Sequence, residues 1–161
     1  MRKFELFINQ YRDRLVKHAF YRLGDLEDAE DIVQDVFVKV YSQELFLKLE
    51  NPASYLYKMT VNACCDFMRK QQSKLAMQQY FEKEEYPVLE NEAIRNLTMK
   101  EEFLRINKIL QLLPEEQAEV VRFRMIDELS FKEITAILGK PESTIKSRFQ
   151  YAIKKLKNYE L

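Results

Sequence analysis

The sequence predicts an all-α protein of two small helical domains joined by a linker, the C-terminal one containing a helix-turn-helix. Three observations predict it. Apolar residues recur at helical spacing through most of the 161 residues. Glycine is limited to two residues and proline to four, too few for the many tight turns of a β-rich chain of this length. An acidic stretch with one proline, KLAMQQYFEKEEYPVLENEAIRN, interrupts the periodicity. It divides the chain into residues 1–75, a linker at 76–97 and residues 98–161. Fully extended, that linker could span about 70 Å at ~3.3 Å per residue, or two turns of DNA at ~34 Å each.

In chain order, Phe4, Phe7, Ile8, Tyr11, Leu15 and Phe20 place a first helix over Arg2 to Leu23, ended by Gly24. A second helix runs from Asp25 to about Glu44. Its apolar face is Ala29, Ile32, Val33, Val36, Phe37 and Val40. Pro52 stops that pattern and opens a third helix to about Ser73, with Leu56, Thr60, Ala63, Cys64 and Phe67 facing the core. Met99 to Leu113 reads as a fourth. Pro114 with Glu115 and Glu116 starts a fifth, carrying Ala118, Val121, Phe123 and Met125 inward, and Asp127 to Leu129 is a turn. Ser130 with Glu133 three residues later forms a capping box for a short helix, Phe131–Leu138, which Gly139 ends. The last helix covers about Glu142–Lys157.

The final two helices have the helix-turn-helix layout. Ile134, Ile137 and Leu138 can pack on Ile145, Phe149, Ala152, Ile153 and Leu156. The opposite face of the last helix then carries Ser143, Thr144, Lys146, Ser147, Arg148, Gln150 and Tyr151. Short hydroxyls at a helix N-terminus suit phosphate oxygens, and Lys146, Arg148 and Gln150 are long enough to reach base edges in a major groove. The chain is balanced overall, with 26 basic and 26 acidic residues, but Lys140 to Lys157 holds six bases against the single acid Glu142. Two other surfaces stand out. The second helix opens with Asp25, Glu27, Asp28, Glu30, Asp31 and Asp35 and no base; dipole complementarity explains the first turn but not Asp35. Such an acidic ridge suits a basic partner. The third helix interleaves Tyr55, Lys58, Asn62, Asp66, Arg69 and Lys70 on one face, a mixture that fits unpaired bases and a phosphate backbone as well as a solvated surface.

Composition and motifs exclude much else. No apolar run approaches the ~20 residues of a membrane span, and the charged N-terminus lacks a secretory h-region, so no membrane insertion is expected and the chain is placed in the cytoplasm. Cys64 and Cys65 are adjacent, point about 100° apart and read as small hydrophobes in a reducing compartment. No metal spacing, P-loop, nucleophile elbow or HExxH occurs, and His18 is the sole histidine. No catalytic site, cofactor or small-molecule substrate is expected. A helix-turn-helix regulator binding duplex DNA independently of any polymerase, a helical adaptor and a small carboxylate enzyme remain as alternatives.

DAEDIVQDVFVKVY (28–41), PASYLYKMTVNACCDFMRK (52–70) and LPEEQAEVVRFRMIDELSFKEITAILGKPESTIKSRFQYAIKKLK (113–157) resemble, in this order, a bacterial RNA polymerase sigma factor of the sigma-70 family. The two-domain layout is similar to the extracytoplasmic-function (ECF) group. The resemblance implies a transcription initiation factor. Its acidic helix would dock the clamp helices of the polymerase β′ subunit through Asp28, Asp31, Ile32, Gln34, Asp35 and Phe37. Tyr55, Lys58, Asn62, Arg69 and Lys70, with the loop Ser42 to Asn51, would grip the melted minus-ten promoter element. Ser143, Thr144, Lys146, Ser147, Arg148, Gln150 and Tyr151 would read the minus-thirty-five element as duplex. The C-terminal domain would sit on the β flap, and an anti-sigma protein is the implied regulator. The autoinhibitory N-terminal segment and the central domain of larger members are not expected. Tyr41 and Tyr55 stand where the family often has Trp, Val61 where it often has Arg, and Thr135 where it usually has Ala.

Overall fold

The computed structural model of the protein describes residues 2–77 and 90–159. Every regular element among them is helical: α1 (Arg2–Leu23), α2 (Leu26–Ser42), a 3₁₀ turn (Leu45–Leu47), α3 (Pro52–Met77), α4 (Glu90–Leu110), α5 (Glu115–Val121), a π-helical turn (Arg122–Ile126), α6 (Phe131–Leu138) and α7 (Glu142–Lys157). Local chemistry sets the boundaries. Gly24, at φ 78°, ends α1, and the Asp25 carboxylate caps α2 by accepting from the Asp28 N–H at 2.9 Å. Ser130 accepts from the Glu133 N–H while Glu133 accepts from the Ser130 N–H, both at 3.1 Å, closing the expected capping box. Gly139 takes φ 68° as the left-handed stop of α6.

Two boundaries differ from expectation. The expected linker at 76–97 shrinks at both ends, because α3 continues to Met77 and α4 already starts at Glu90; residues 78–89 lie outside the described residues. The fifth helix does not run regularly to Met125. It widens at Arg122, where the Asp127 N–H reaches back five residues to the Arg122 carbonyl at 3.1 Å. The widened turn shifts the register, so Ala118, Val121 and Phe123 are buried as expected but Met125 is 60 % exposed.

α1, α2 and α3 pack on one another, and α5, α6 and α7 form a second group. The groups meet where α6 lies on α3. One apolar core runs through this seam: Leu15, Ala19, Tyr57 and Val61 from the first group belong to the same buried cluster as Phe123, Leu129, Ile134 and Ile145 from the second. A smaller core, with Leu110, Leu113, Ala118, Val121 and Ala152, lies wholly in the C-terminal half.

His18 occupies the seam, 2 % exposed. Its ring stacks on Phe123 with centroids 5.2 Å apart and meets Tyr57 edge-on at 5.6 Å. Nδ1 lies 2.7 Å from Asp127 Oδ2, and Arg22 Nε donates to Nε2 at 2.8 Å. Since Arg22 must donate, Nε2 accepts and Nδ1 carries the proton, which makes the imidazole neutral. Arg22 also pairs with Glu119 at 2.9 Å. From the other side, α4 brings Phe103 over Gly24; a Cβ there would lie 2.5 Å from the Phe103 ring.

The two glycines therefore differ in what a side chain would cost. Gly139→Ala meets open space and bears only the left-handed backbone penalty, about 1–2 kcal/mol. Gly24→Ala bears that penalty and also displaces Phe103, so urea unfolding should show the larger loss at Gly24; equal losses would mean that the packing of Phe103 on Gly24 contributes nothing.

Candidate nucleic-acid and partner interfaces

The acidic ridge forms because the apolar stripe of α2 is committed to the core. Ala29, Ile32, Val33, Val36, Phe37 and Val40 are buried, which turns Asp31, Gln34 and Asp35 outward and leaves Asp28 half-exposed. Ile32, at 7 % exposure, and Phe37, at 4 %, lie in the core beneath the acids rather than on the outward face with them. Their side chains seat the helix, and Ile32 also lines the groove between α2 and α3. Val38, 59 % exposed, stands on the outer side instead. Partial burial, then the neighbouring Asp25, Asp31 and Glu27, raises the pKa of Asp28 above the usual carboxylate range. Crowded negative charge of this kind favours a basic partner.

On α3, Lys58, Asn62, Arg69 and Lys70 are exposed and Tyr55 is half-buried against the core. The Thr60 hydroxyl donates to the Leu56 carbonyl at 2.8 Å, so this polar residue is satisfied on the buried side. Arg69 pairs with Asp66 one turn away. A groove of about 410 Å³ separates α2 from α3, and it brings Asp35 and Lys39 of the acidic helix opposite Asn62 and Lys70 of the basic one. The two surfaces that the sequence presents separately thus adjoin.

The sequence reading missed an aromatic cluster beside the loop at 42–51. Phe46 of the 3₁₀ turn lies 5.1 Å from Phe4 and 6.3 Å from Tyr41, with centroids as reference, and Phe4 lies 4.7 Å from Tyr41. Tyr41 and Leu47 remain exposed at its edge. The available signal was three aromatics at element ends, but their meeting depends on how α1 crosses the end of α2.

In the helix-turn-helix, Ile134, Ile137, Ile145 and Ala152 are buried, and Phe131 meets Phe149 edge-on at 5.6 Å. This leaves Ser143, Lys146, Ser147, Gln150 and Tyr151 outside the core, with Thr144 and Arg148 half-buried. The cations are locally engaged. Lys146 Nζ lies 3.4 Å from Glu142 and 6.0 Å from the centre of the Phe131 ring, and Arg148 reaches Glu116 at 3.6 Å. Ser143, Thr144, Ser147 and Arg148 line a groove of about 310 Å³ against Glu116 and Gln117 of α5. Gln117 Oε1 is buried without a hydrogen-bond partner.

Cys64 is buried and Cys65 half-buried, both as free thiols, and burial pushes the Cys64 thiol up to about 12. A protonated thiol at that depth is inert packing. Among the described residues no cluster of His, Cys, Asp or Glu could hold a metal ion, and no helix is long and apolar enough to cross a membrane.

Because Lys146 and Arg148 lie outside the core, the double Ala variant should unfold within about 0.5–1 kcal/mol of wild type in urea. A loss several times larger would make these side chains part of the fold.

Comparison with known proteins gives matches in both halves. Residues 7–74 match Sigma-70 region 2, and residues 109–158 match Sigma-70, region 4. The chain is 30 % identical over 148 residues to RNA polymerase sigma factor SigV of Bacillus subtilis, covering 86 % of this chain and 82 % of that protein. It is 28 % identical over 152 residues to ECF RNA polymerase sigma factor SigW of the same organism, covering 88 % and 80 %. Among solved structures, the fold is similar to sigma factor RpoE in complex with the anti-sigma factor NepR from Bartonella quintana. The TM-score is 0.68 at 20 % identity, covering 98 % of this chain and 96 % of that one. It is likewise similar to CnrH in complex with the cytosolic domain of CnrY, with TM-score 0.69 at 21 % identity, covering 98 % and 86 %.

Proposed function

The chain belongs to the sigma-70 family of RNA polymerase sigma factors, in its ECF group, and on that premise we propose how its surfaces divide the work of transcription initiation. It is a factor that binds core RNA polymerase and directs it to promoters. The half-exposed Asp28 and the exposed Asp31 and Asp35, with Gln34 between them, dock the basic side of the β′ clamp helices. Tyr55, Lys58, Asn62, Arg69 and Lys70 hold the melted minus-ten element, helped by the loop at 42–51 and the aromatic edge at Tyr41. Ser143, Thr144, Lys146, Ser147, Arg148, Gln150 and Tyr151 read the minus-thirty-five duplex, and the C-terminal half sits on the β flap. Strand opening draws on binding energy for unpaired bases; the chain catalyses no reaction. It acts in the cytoplasm, and an anti-sigma protein regulates it, as such a protein accompanies the similar RpoE.

The observation that carries this reading is the pairing of surfaces of opposite sign. An acid-only ridge faces outward on α2, and a hydroxyl-rich, basic face stands outward on α7. The acidic ridge calls for a basic partner surface, and a promoter is a polyanion that matches the basic face. Solvent-accessible ion pairs such as that of half-buried Arg148 with exposed Glu116 are each worth only about 0.2–1 kcal/mol, so phosphate displaces the carboxylate readily.

The decisive experiment is in vitro transcription with core polymerase, with and without this chain, over a random promoter library. Polymerase with the chain should select a defined promoter set; the chain alone should bind the same DNA weakly. Tight operator binding without polymerase would favour an independent helix-turn-helix regulator. Lys146→Ala with Arg148→Ala should weaken promoter use, change sequence preference at the upstream element and lower the salt slope by about one for each phosphate no longer neutralised. Unaltered selection across the library would remove α7 from readout. Asp31→Lys with Asp35→Lys should reduce polymerase recovery in a pull-down at least tenfold while the melting curve stays close to wild type. Glu116→Gln should free Arg148 and raise affinity for the upstream duplex about two- to fivefold, as expected when one weak competing ion pair is removed.

A further inference from the structure

The seam between the two halves joins surfaces that initiation requires to be apart. α6 packs on α3, and α7 packs on α6. Helices in contact lie about 8–10 Å apart, so where α3, α6 and α7 pack in succession the axes of α3 and α7 are at most about 20 Å from each other. The two promoter elements assigned to these helices are separated by about two turns of DNA, at ~34 Å each. A chain in this arrangement reaches one element or the other.

Polar groups at the centre of the seam are conditionally matched. Asp127, its side chain 1 % exposed, accepts from His18 through Oδ2, while Oδ1 is buried without a hydrogen-bond partner. His18 faces Arg22 on its own helix, Tyr57 on α3, and Phe123, Arg122 and Asp127 in and just after the widened turn; Glu119 of α5 holds Arg22. Protonating Nε2 would remove the acceptor for Arg22 and set two cations 2.8 Å apart. Arg14 lies over the outer side of the Tyr57 ring, 5.6 Å from its centre, at a cleft of about 330 Å³ that Lys17, Asp127 and Glu128 also line.

We propose that this seam is an autoinhibitory latch, with neutral His18 between Asp127 and Arg22 as its polar catch. Closed, it holds the two DNA-reading helices too near each other for one promoter; charging His18 or breaking Arg22–Glu119 opens it. The proposal rests on the initiation reading for what the latch restrains, but not for whether it exists.

The sign of the pH effect follows from the site. Burial, then the charges of Arg22 and Arg122, outweigh the pull of Asp127 and hold His18 below the ordinary imidazole range of about 6.5. The open form, with an ordinary imidazole, therefore binds the proton more tightly. The closed form is fully favoured above about pH 6.5 and loses ground as pH falls toward its own lower value. Below that pH the shift toward open grows steadily as protons are taken up by the open form. His18 is the chain's sole histidine, and the His18→Gln variant separates its titration from that of the raised carboxyl of Asp28.

Small-angle X-ray scattering on the full chain reads the latch directly. Wild type at pH 8 should have a radius of gyration near the ~15 Å of a compact chain of this length. It should expand at pH 5.5, while His18→Gln should show the same radius at both. Glu119→Arg, which sets a second guanidinium against Arg22, should be expanded at pH 8. Phe103→Ala, which removes the ring that α4 seats on Gly24 and Phe20, should loosen the hold of the C-terminal half on α1. Circular dichroism should show full helix content in each variant. With core polymerase at pH 8, Glu119→Arg should reach half-maximal transcription at a concentration at least threefold below wild type. Radii unchanged in both Glu119→Arg and Phe103→Ala would overturn the latch. A wild-type radius unmoved between pH 8 and 5.5 would overturn its titration by His18. Expanded variants that transcribe like wild type would overturn the autoinhibition and leave the initiation function standing. Radii that respond while no form of the chain supports transcription would keep the latch and overturn the initiation reading.

Discussion

A single imidazole, enclosed by Phe123 and Tyr57 and hydrogen-bonded on both nitrogens, is the point on which the two halves of this protein are registered. Burying a histidine costs desolvation unless both ring nitrogens find partners, and each partner comes with its own constraint. Asp127 follows directly on the widened turn, its own N–H closing that turn on the Arg122 carbonyl. Arg22 reaches Nε2 from one turn away on α1 and is itself anchored by Glu119 across the seam. The apolar cluster supplies area for the association. The polar centre fixes which arrangement that area adopts, because other registers would leave His18, Asp127 or Arg22 buried and unmatched.

The outward surfaces follow from what this core consumes. α2 gives its apolar stripe to α1 and α3, so its acids are left among the outward positions. α7 gives Ile145 and Ala152 to its own domain, so hydroxyls and cations remain outside. Local carboxylates neutralise several of those cations: Glu142 beside Lys146, Glu116 beside Arg148, Asp66 beside Arg69. Exposed pairs of this kind are weak and easily exchanged, which suits surfaces that serve a polyanion only within a larger assembly. The α2–α3 groove, where Asp35 faces Lys70 across a shared space, places opposite charges side by side in one domain.

Much of the helical layout was legible because it is written in short-range chemistry. Gly24, Asp25, Pro52, Pro114, Ser130, Glu133 and Gly139 mark starts and stops by backbone geometry and capping, effects that act within one turn. Exposure on α3 and α7 was legible from helical periodicity. Ile32 and Phe37 are buried where the periodicity of the α2 stripe put them, so the outward face of that helix is made by the residues around them. Met125 was misplaced because a π turn leaves little trace in residue type. The start of α4 at Glu90 was hidden by acidic composition, which suits a helix N-terminus as well as a linker.

By itself the sequence determined the helices, the helix-turn-helix and the sign of each outward face. These depend on propensity, capping and the 3.6-residue period, all set by residues within a few positions of one another. Only the tertiary structure decided that the two halves share a core, that His18 is its polar centre and that Phe103 closes over Gly24. His18 and Asp127 are 109 residues apart in the chain, and no local rule connects them. Their meeting is fixed by the packing of α6 on α3, which the apolar area of both halves together makes favourable.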